Sequence, residues 1–394
     1  MEKTPPQPLL AIACGGTGGH LFPGVAIAQE LLLRSCDVVL LVSPKEVDQQ
    51  AVRSLRGIQV ATLPAVALDR GRAAAFLAGS WKSIREANKL FRHRPPQAVL
   101  AMGGFTSAPP VLAGKTCGAV TFLHESNTVP GRANRWLSHI VDQAFVGFPS
   151  AAARLHNPNV LTTGTPVRPE FEPADAAAAR VALGLSPQRP VLLVMGGSQG
   201  ASEINDLVLQ SLPLITQAVG DLQVLHLTGL HDFEKVRAHY AAQKLKAVVR
   251  PFLTEMELAL AAATVAVSRA GASSLAEIAA MRLPTILIPY PTAADNHQYY
   301  NARAFADSGA ALLMEQRNAK PEQLAASVAR LVQDPYTHRA MAGELVRWHA
   351  PHATGMIAEK MLLLMNALGH GPWPAPQKLA TGANEMRDLK SASA

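Results

Sequence analysis

Four loops hold the residue types best suited to chemistry, and each follows an apolar run. The first, 15-GGTGGH-20, follows 9-LLAIAC-14. Its glycines bare backbone N–H groups beside the hydroxyl of Thr17 and the imidazole of His20, a set suited to anion approach and proton transfer. The same residues also fit a tight strand-to-helix turn with a capping Thr and a surface His, and the loop alone does not choose. It is not the dinucleotide pattern G-x-G-x-x-G, because Leu21 stands where the third glycine is needed. No Gly-Lys-Ser/Thr follows either, which excludes a Walker A loop.

The other three loops lie in the second half of the chain. In 196-GGSQGA-201 exposed amides flank Ser198, whose hydroxyl suits a phosphate oxygen. In 268-SRAGASSLAEIAA-280 a strand ends at Ser268 and a helix begins near Ala272, so small residues let a diphosphate reach the positive end of a helix. Glu277, one and a half turns in, has the reach to accept hydrogen bonds from vicinal ribose hydroxyls. A solvated helix carboxylate is the plainer reading, but two anion cradles in one half weigh against it. The segment 289-PYPTAADNHQYYNA-302 offers amides and imidazole that suit sugar hydroxyls. No D-x-D triplet and no metal-spaced His/Asp/Glu cluster occurs, so Arg168, amides and helix dipoles are expected to neutralise the diphosphate without a metal.

Elements must place these loops. The apolar runs 9–14, 38–43, 98–104 and 119–125 alternate with helical stretches near 23–34, 46–56 and 73–92, the pattern of a doubly wound parallel sheet. After the Pro- and Gly-rich stretch 161-LTTGTPVRPEFEP-173, read as a linker, the pattern restarts with strands at 190–195, 222–229, 247–252, 264–271 and 285–290. Two Rossmann-like α/β domains facing across a cleft follow, as 394 residues permit. The expected divisions are 1–165, 166–352, a helix at 353–369 returning to the first domain, and a disordered tail at 370–394. Cys14, Cys36 and Cys117, lacking ligand spacing, read as buried free thiols in a reducing compartment. With no apolar leader and no apolar run of about 18 residues, a cytoplasmic location is expected.

The motifs GGTGGHLFPG, MGGFTSAP, HESNTVPGRANRWL, GTPVR, GGSQGA, SRAGASSLAEI and DNHQYYNA occur in that order between about Leu9 and Leu368. Together they resemble the MurG family, UDP-N-acetylglucosamine transferases of GT-B fold that complete lipid II in peptidoglycan synthesis. The resemblance implies inverting, metal-independent transfer of GlcNAc to the C4 hydroxyl of MurNAc in undecaprenyl-linked lipid I, with no cofactor. It implies that Thr17, Gly18 and Gly19 lie near the donor sugar and acceptor diphosphate, with His20 as general base or acceptor-orienting group and Glu125, beside the acceptor cleft, as the second catalytic residue. It further implies that Asn127 touches the donor sugar, Arg168 and Ser198 hold the phosphates, and Leu253 meets uracil. Ala272, Ser273, Ser274, Leu275, Ala276 and Glu277 would cradle diphosphate and ribose, and Gln298 would read the GlcNAc hydroxyls. Phe105 and Ser126 depart from the family's tyrosine and glutamine.

Charge points to an anionic partner: nucleic acid, anionic lipid or a phosphorylated acceptor, among which composition alone does not choose. Residues 1–165 carry 16 Lys/Arg against 9 Asp/Glu, whereas the remainder carries 20 against 20, so the whole excess of +7 lies in the first half. In 70-RGRAAAFLAGSWKSIREANKLFRHR-94, Phe76, Leu77, Trp81, Ile84 and Phe91 recur at helical steps among basic residues. An interfacial helix drawn to anionic lipid and a crossover helix buried on the sheet both fit, each for part of the stripe. The expected setting is the cytoplasmic face of the bacterial membrane, with UDP-GlcNAc, lipid I and other cell-wall synthesis proteins as partners. Nucleic acid is not expected, since no aromatic-interleaved motif accompanies the charge. The rival readings are a UDP-sugar-dependent diacylglycerol glycosyltransferase and a UDP-GlcNAc 2-epimerase.

Overall fold

The computed structural model describes residues 7–16, 18–45, 48, 49, 52, 57–64, 73–197, 199–243 and 245–371. Two parallel sheets form its frame. The first contains β1 (Leu9–Ala13), β2 (Asp37–Val42), β3 (Gln59–Thr62), β4 (Ala98–Ala101), β5 (Val120–Glu125), β6 (Gln143–Val146) and β7 (Val160–Thr162), in the order β3-β2-β1-β4-β5-β6-β7. The second contains β8 (Val191–Met195), β9 (Gln223–Leu227), β10 (Ala247–Arg250), β11 (Val265–Ser268), β12 (Thr285–Leu287) and β13 (Leu312–Leu313), in the order β10-β9-β8-β11-β12-β13. Both reverse direction beside their first strand, at β1/β4 and β8/β11. Those switch points open the crevices in which such sheets bind ligands.

Central strands are apolar on both faces because helices cover both: β1, β4, β5 and β8 are buried along their length. The Leu10/Ile12/Leu40/Leu100 core lies on one face of the first sheet, and the Ala11/Val39/Phe91/Val99 core on the other. The last helix, Ala353–Ala367, packs Ile357, Met361 and Met365 into the first of these cores. Between the domains, Phe148, which follows β6, joins the second domain's core against Phe305 and Trp348, whose rings stack at 4.4 Å.

Several expectations change. The strands β3, β6, β7 and β13 are additional to those read from sequence; each has four residues or fewer, too few to show a period. β7 takes the first residues of the supposed linker into the sheet. Cys117 is exposed, on the turn that ends the helix Ala108–Thr116. The helix expected at 46–56 and the tail from residue 372 onward lie largely or wholly outside the described residues.

Candidate active site between the two sheets

A cleft of about 760 Å³ runs between the carboxyl ends of the two sheets. On the first domain's side, the helix expected from Pro23 begins at Gly18, so Gly18, Gly19 and His20 form its opening turn. The imidazole of His20 lies against β4's glycine loop. A Cβ at Gly103 would come within 2.8 Å of its Nε2, and Gly103 has φ +118°, so only glycine leaves the ring its place. Burial lowers the His20 pKa below the usual imidazole value, against the raising influence of the Glu125 and Asp48 carboxylates. The ring is therefore neutral at pH 7, with a nitrogen able to accept a proton. Asp48 fixes the loop before it, taking the Gly16 N–H at 2.6 Å and the Ser43 hydroxyl at 2.6 Å.

Glu125, at the end of β5, is buried and saturated. Its Oε1 accepts from the backbone and side-chain nitrogens of Asn127 at 2.8 and 2.9 Å, and its Oε2 from Gly131 N–H at 3.0 Å and Asn134 Nδ2 at 2.9 Å. One carboxylate thus folds the loop 126–131 around itself. Asn301, completely buried on the second domain's helix His297–Asp307, extends this network across the cleft. Its Oδ1 accepts from the Thr128 N–H and hydroxyl, both at 2.9 Å, while its Nδ2 donates to Asn127 Oδ1 at 3.0 Å and the Ala270 carbonyl at 3.1 Å.

The second domain's side is main chain and charge. The helix Ala272–Met281 starts at the cleft, and Gly271, Ala272, Ser273, Ser274 and Glu277 line it. Leu275 instead turns into the core and gives its N–H to the Gly271 carbonyl, and Ala276 does not reach the cleft lining. Desolvation raises the Glu277 pKa to about 7, with Glu170 and Glu257 adding to it and Arg168 opposing. Arg168 lines the cleft, its Nη1 3.0 Å from Glu170 and its buried Nε without an acceptor. Gln298 Oε1 accepts the Tyr290 N–H at 3.0 Å, which leaves its amino group for the cleft, and Leu253 also lines it. Thr17 and Ser198 lie outside the described residues. Among the described residues no three His, Cys, Asp or Glu side chains are placed to hold a metal ion.

A proline joins the two sides. Pro23 sits inside the first helix, and without an N–H it leaves the Gly19 carbonyl, four residues back, free of its helical partner. That carbonyl accepts the Ser273 hydroxyl at 3.0 Å from the opposite domain.

The glycosyltransferase family 28 N-terminal domain pattern matches residues 10–146, and the C-terminal domain pattern matches residues 191–353. The chain belongs to glycosyltransferase family 28. Among family members, the UDP-N-acetylglucosamine--N-acetylmuramyl-(pentapeptide) pyrophosphoryl-undecaprenol N-acetylglucosamine transferase of Sorangium cellulosum is 36% identical, with 91% of this chain and 89% of that protein aligned. The enzyme of the same name from Verminephrobacter eiseniae is 37% identical over 84% of this chain and 91% of its own length. Acinetobacter baumannii MurG superposes with a TM-score of 0.67 at 26% identity, covering 90% of this chain and 99% of that one. A structure described as a UDP-N-acetylglucosamine 2-epimerase from Listeria monocytogenes also superposes, at 0.65, but at 14% identity it shares the fold alone.

For this family 28 chain, the cleft brings together Gly18, Gly19, His20, Glu125, Asn127, Arg168, Leu253, Gln298 and the start of the Ala272–Met281 helix. Reading the sequence missed Asn134 and Asn301. The second stands three residues after Gln298 on one helix, a spacing that shares a face. The two departures from the family pattern also find places. Ser126 hydrogen-bonds His124 Nδ1 at 3.2 Å, and Phe105 meets Phe76 edge-on at 5.5 Å.

Proposed function

We propose that the chain transfers GlcNAc from UDP-GlcNAc to the C4 hydroxyl of MurNAc in undecaprenyl-linked lipid I, by one inverting displacement that needs no metal. The observation that carries this is the facing arrangement of a neutral His20 on one wall and, on the other, a helix start flanked by Arg168 and Glu277. His20 accepts the proton of the attacking hydroxyl as its oxygen bonds to C1 of the sugar. The C1–O bond to the diphosphate breaks, and UDP departs with the charge. Helix N–H groups and Arg168 stabilise that charge as it develops. Glu277 takes the ribose hydroxyls, Gln298 and Asn127 the sugar, and Leu253 the uracil. The saturated Glu125 positions the loop rather than moving a proton. The test is incubation of the purified chain with UDP-GlcNAc and either a lipid I analogue, diacylglycerol or no acceptor. Disaccharide and UDP are expected, also with chelator present; UDP-ManNAc would indicate the epimerase, and a glycosylated diacylglycerol the glycolipid synthase.

We also propose that the chain works peripherally on the anionic inner face of the membrane. No described helix is long and apolar enough to cross a bilayer. On the helix Ala73–His93, Phe91 is buried, whereas Leu77 and Trp81 are 66% and 64% exposed, with Arg85 5.7 Å from the Trp81 ring and Lys89 one turn on. The stripe thus divides: its late residues serve the core, and its early ones reach solvent beside basic neighbours. Replacing Leu77 and Trp81 together by Ser is expected to abolish sedimentation with anionic vesicles while sparing turnover of a soluble acceptor analogue.

A further inference from the structure

Arg168 does not stand alone at the domain junction. Its guanidinium carbon lies 4.9 Å from the ring centroid of Phe171 and 4.9 Å from that of Phe22. Phe171 is 2% exposed and belongs to the second domain's core. Phe22 comes from the first domain, in the second turn of the helix that opens with Gly18, Gly19 and His20. The cation thus lies over two aromatic rings supplied by different domains.

That packing has a chemical consequence. A guanidinium is flat, with all its N–H groups in one plane. Two rings near the cation limit how that plane tilts and leave its N–H edge for ligands. Glu170 Oε1 lies 3.0 Å from Nη1 as an ion pair, and the buried Nε has no acceptor. Phe22 is itself anchored, since a Cβ on Gly18 would come within 3.3 Å of its ring. The Gly19 carbonyl beside it is bonded to Ser273, at the start of the diphosphate helix. The opening turns of one helix therefore touch both groups of the opposite wall best placed for phosphate.

We propose that Phe22 is a positioning residue: its ring forms the shelf that orients Arg168 toward the donor diphosphate. This rests on the reading above that Arg168 meets that diphosphate. Phe22 touches no reacting atom and acts through Arg168. An aliphatic side chain of similar size fills the space but lacks the negative ring face that attracts a cation, whereas tyrosine keeps it.

The experiment compares the full-length wild type with Phe22→Leu, Phe22→Tyr, Arg168→Lys and the double variant Phe22→Leu/Arg168→Lys. Calorimetry measures binding of UDP and of uridine, steady-state rates give kcat and KM for UDP-GlcNAc, and thermal unfolding confirms that each variant folds. Phe22→Leu is expected to weaken UDP, and raise the donor KM, by about tenfold. Uridine, which has no phosphate, should bind as to wild type, and Phe22→Tyr should restore UDP binding to within about twofold. On the Arg168→Lys background, loss of the ring should add little. Unchanged UDP affinity in Phe22→Leu, an equal loss for uridine, or full additivity in the double variant would each overturn the proposal. A wild-type chain that fails to bind UDP would overturn the site reading as well.

Discussion

The two walls of the cleft are built from different material. On the first, side chains satisfy one another: Glu125 accepts four hydrogen bonds, and Asn301, reaching across from the other domain, makes four more. On the second, the helix start opens to the cleft, Arg168 Nε lacks an acceptor, and Glu277 has a raised proton affinity. The first wall is a finished template whose shape does not wait for ligand. The second holds an open helix start and a guanidinium with an unused N–H, which a nucleotide diphosphate would complete. Substitutions should therefore fail differently on the two sides: through shape and turnover on the first, through affinity and pH on the second.

The largest effect should come where the template meets chemistry. His20→Ala is expected to lower kcat by about 10²–10⁴-fold while leaving the KM for UDP-GlcNAc within a few-fold of wild type. In the wild type, the acid limb of the kcat/KM–pH profile should fall below pH 6.5, because burial holds the His20 pKa of the free enzyme under that value. Equal losses in kcat and donor affinity, measured in initial-rate assays, would count against the base role.

Next comes the template itself. Glu125→Gln keeps the shape but turns one acceptor oxygen into a donor facing N–H groups, at about 1–3 kcal/mol for each group left unpaired. A lower melting temperature and a fall in kcat/KM of roughly tenfold to a hundredfold are expected together. Activity lost with an unchanged melting curve would instead make Glu125 a participant in proton transfer.

The walls also differ in how legible they are in sequence. The central strands of both sheets, among them β1, β4, β8 and β11 with the loops that follow them, show as apolar runs, because central parallel strands are buried on both faces. The second wall reads directly too, since Gly271 before the Ala272 helix and Glu277 one and a half turns in are local in the chain. The first wall does not. Glu125 and Asn134 are nine residues apart, and Asn127 and Asn301 meet across 174 residues, so only folding reveals that they share hydrogen bonds. Reading Glu125 as catalytic was natural for a carboxylate near a cleft; the four donors around it supply the positioning alternative. The Gly19–Ser273 bond is likewise hidden, though Pro23 announces that some carbonyl in the preceding turn needs a partner.

On the second wall, Glu277→Gln joins affinity to pH. Desolvation raises the folded-state pKa to about 7 from the usual glutamate value of 4.5, so between those values the fold holds a proton that the unfolded chain releases. Stability from this group is therefore highest at low pH and is lost as pH rises through that window. Because water reaches part of the side chain, the penalty at pH 8 is on the order of 1–2 kcal/mol. Glu277→Gln should raise the melting temperature at pH 8 and leave it unchanged near pH 4.5. At pH 8 it should also raise the KM for UDP-GlcNAc by about tenfold, a gap that narrows near pH 6 as wild-type Glu277 takes up its proton. A donor KM that Gln leaves unchanged at pH 8 would remove Glu277 from ribose recognition.

The smallest effect belongs to the rim, where the walls meet in water. Arg135 Nη2 lies 2.8 Å from Asp295 Oδ2, with side chains 41% and 35% exposed, and Asp295 and Asn296 hold φ +50° and +54°. Asp and Asn tolerate that left-handed conformation better than most residues, so the turn does not depend on the ion pair to hold its shape. An exposed pair contributes about 0–1 kcal/mol and is screened by salt. Arg135→Ala is accordingly expected to change kcat/KM by less than about threefold, with the difference vanishing near 0.5 M salt. Asn301→Ala leaves Thr128 and Asn127 unpaired in the dry centre of the same seam, and should cost roughly tenfold or more at any salt concentration. Matching losses in these two variants, both sensitive to salt, would mean that closure is governed by charge at the rim and that the buried amide merely follows.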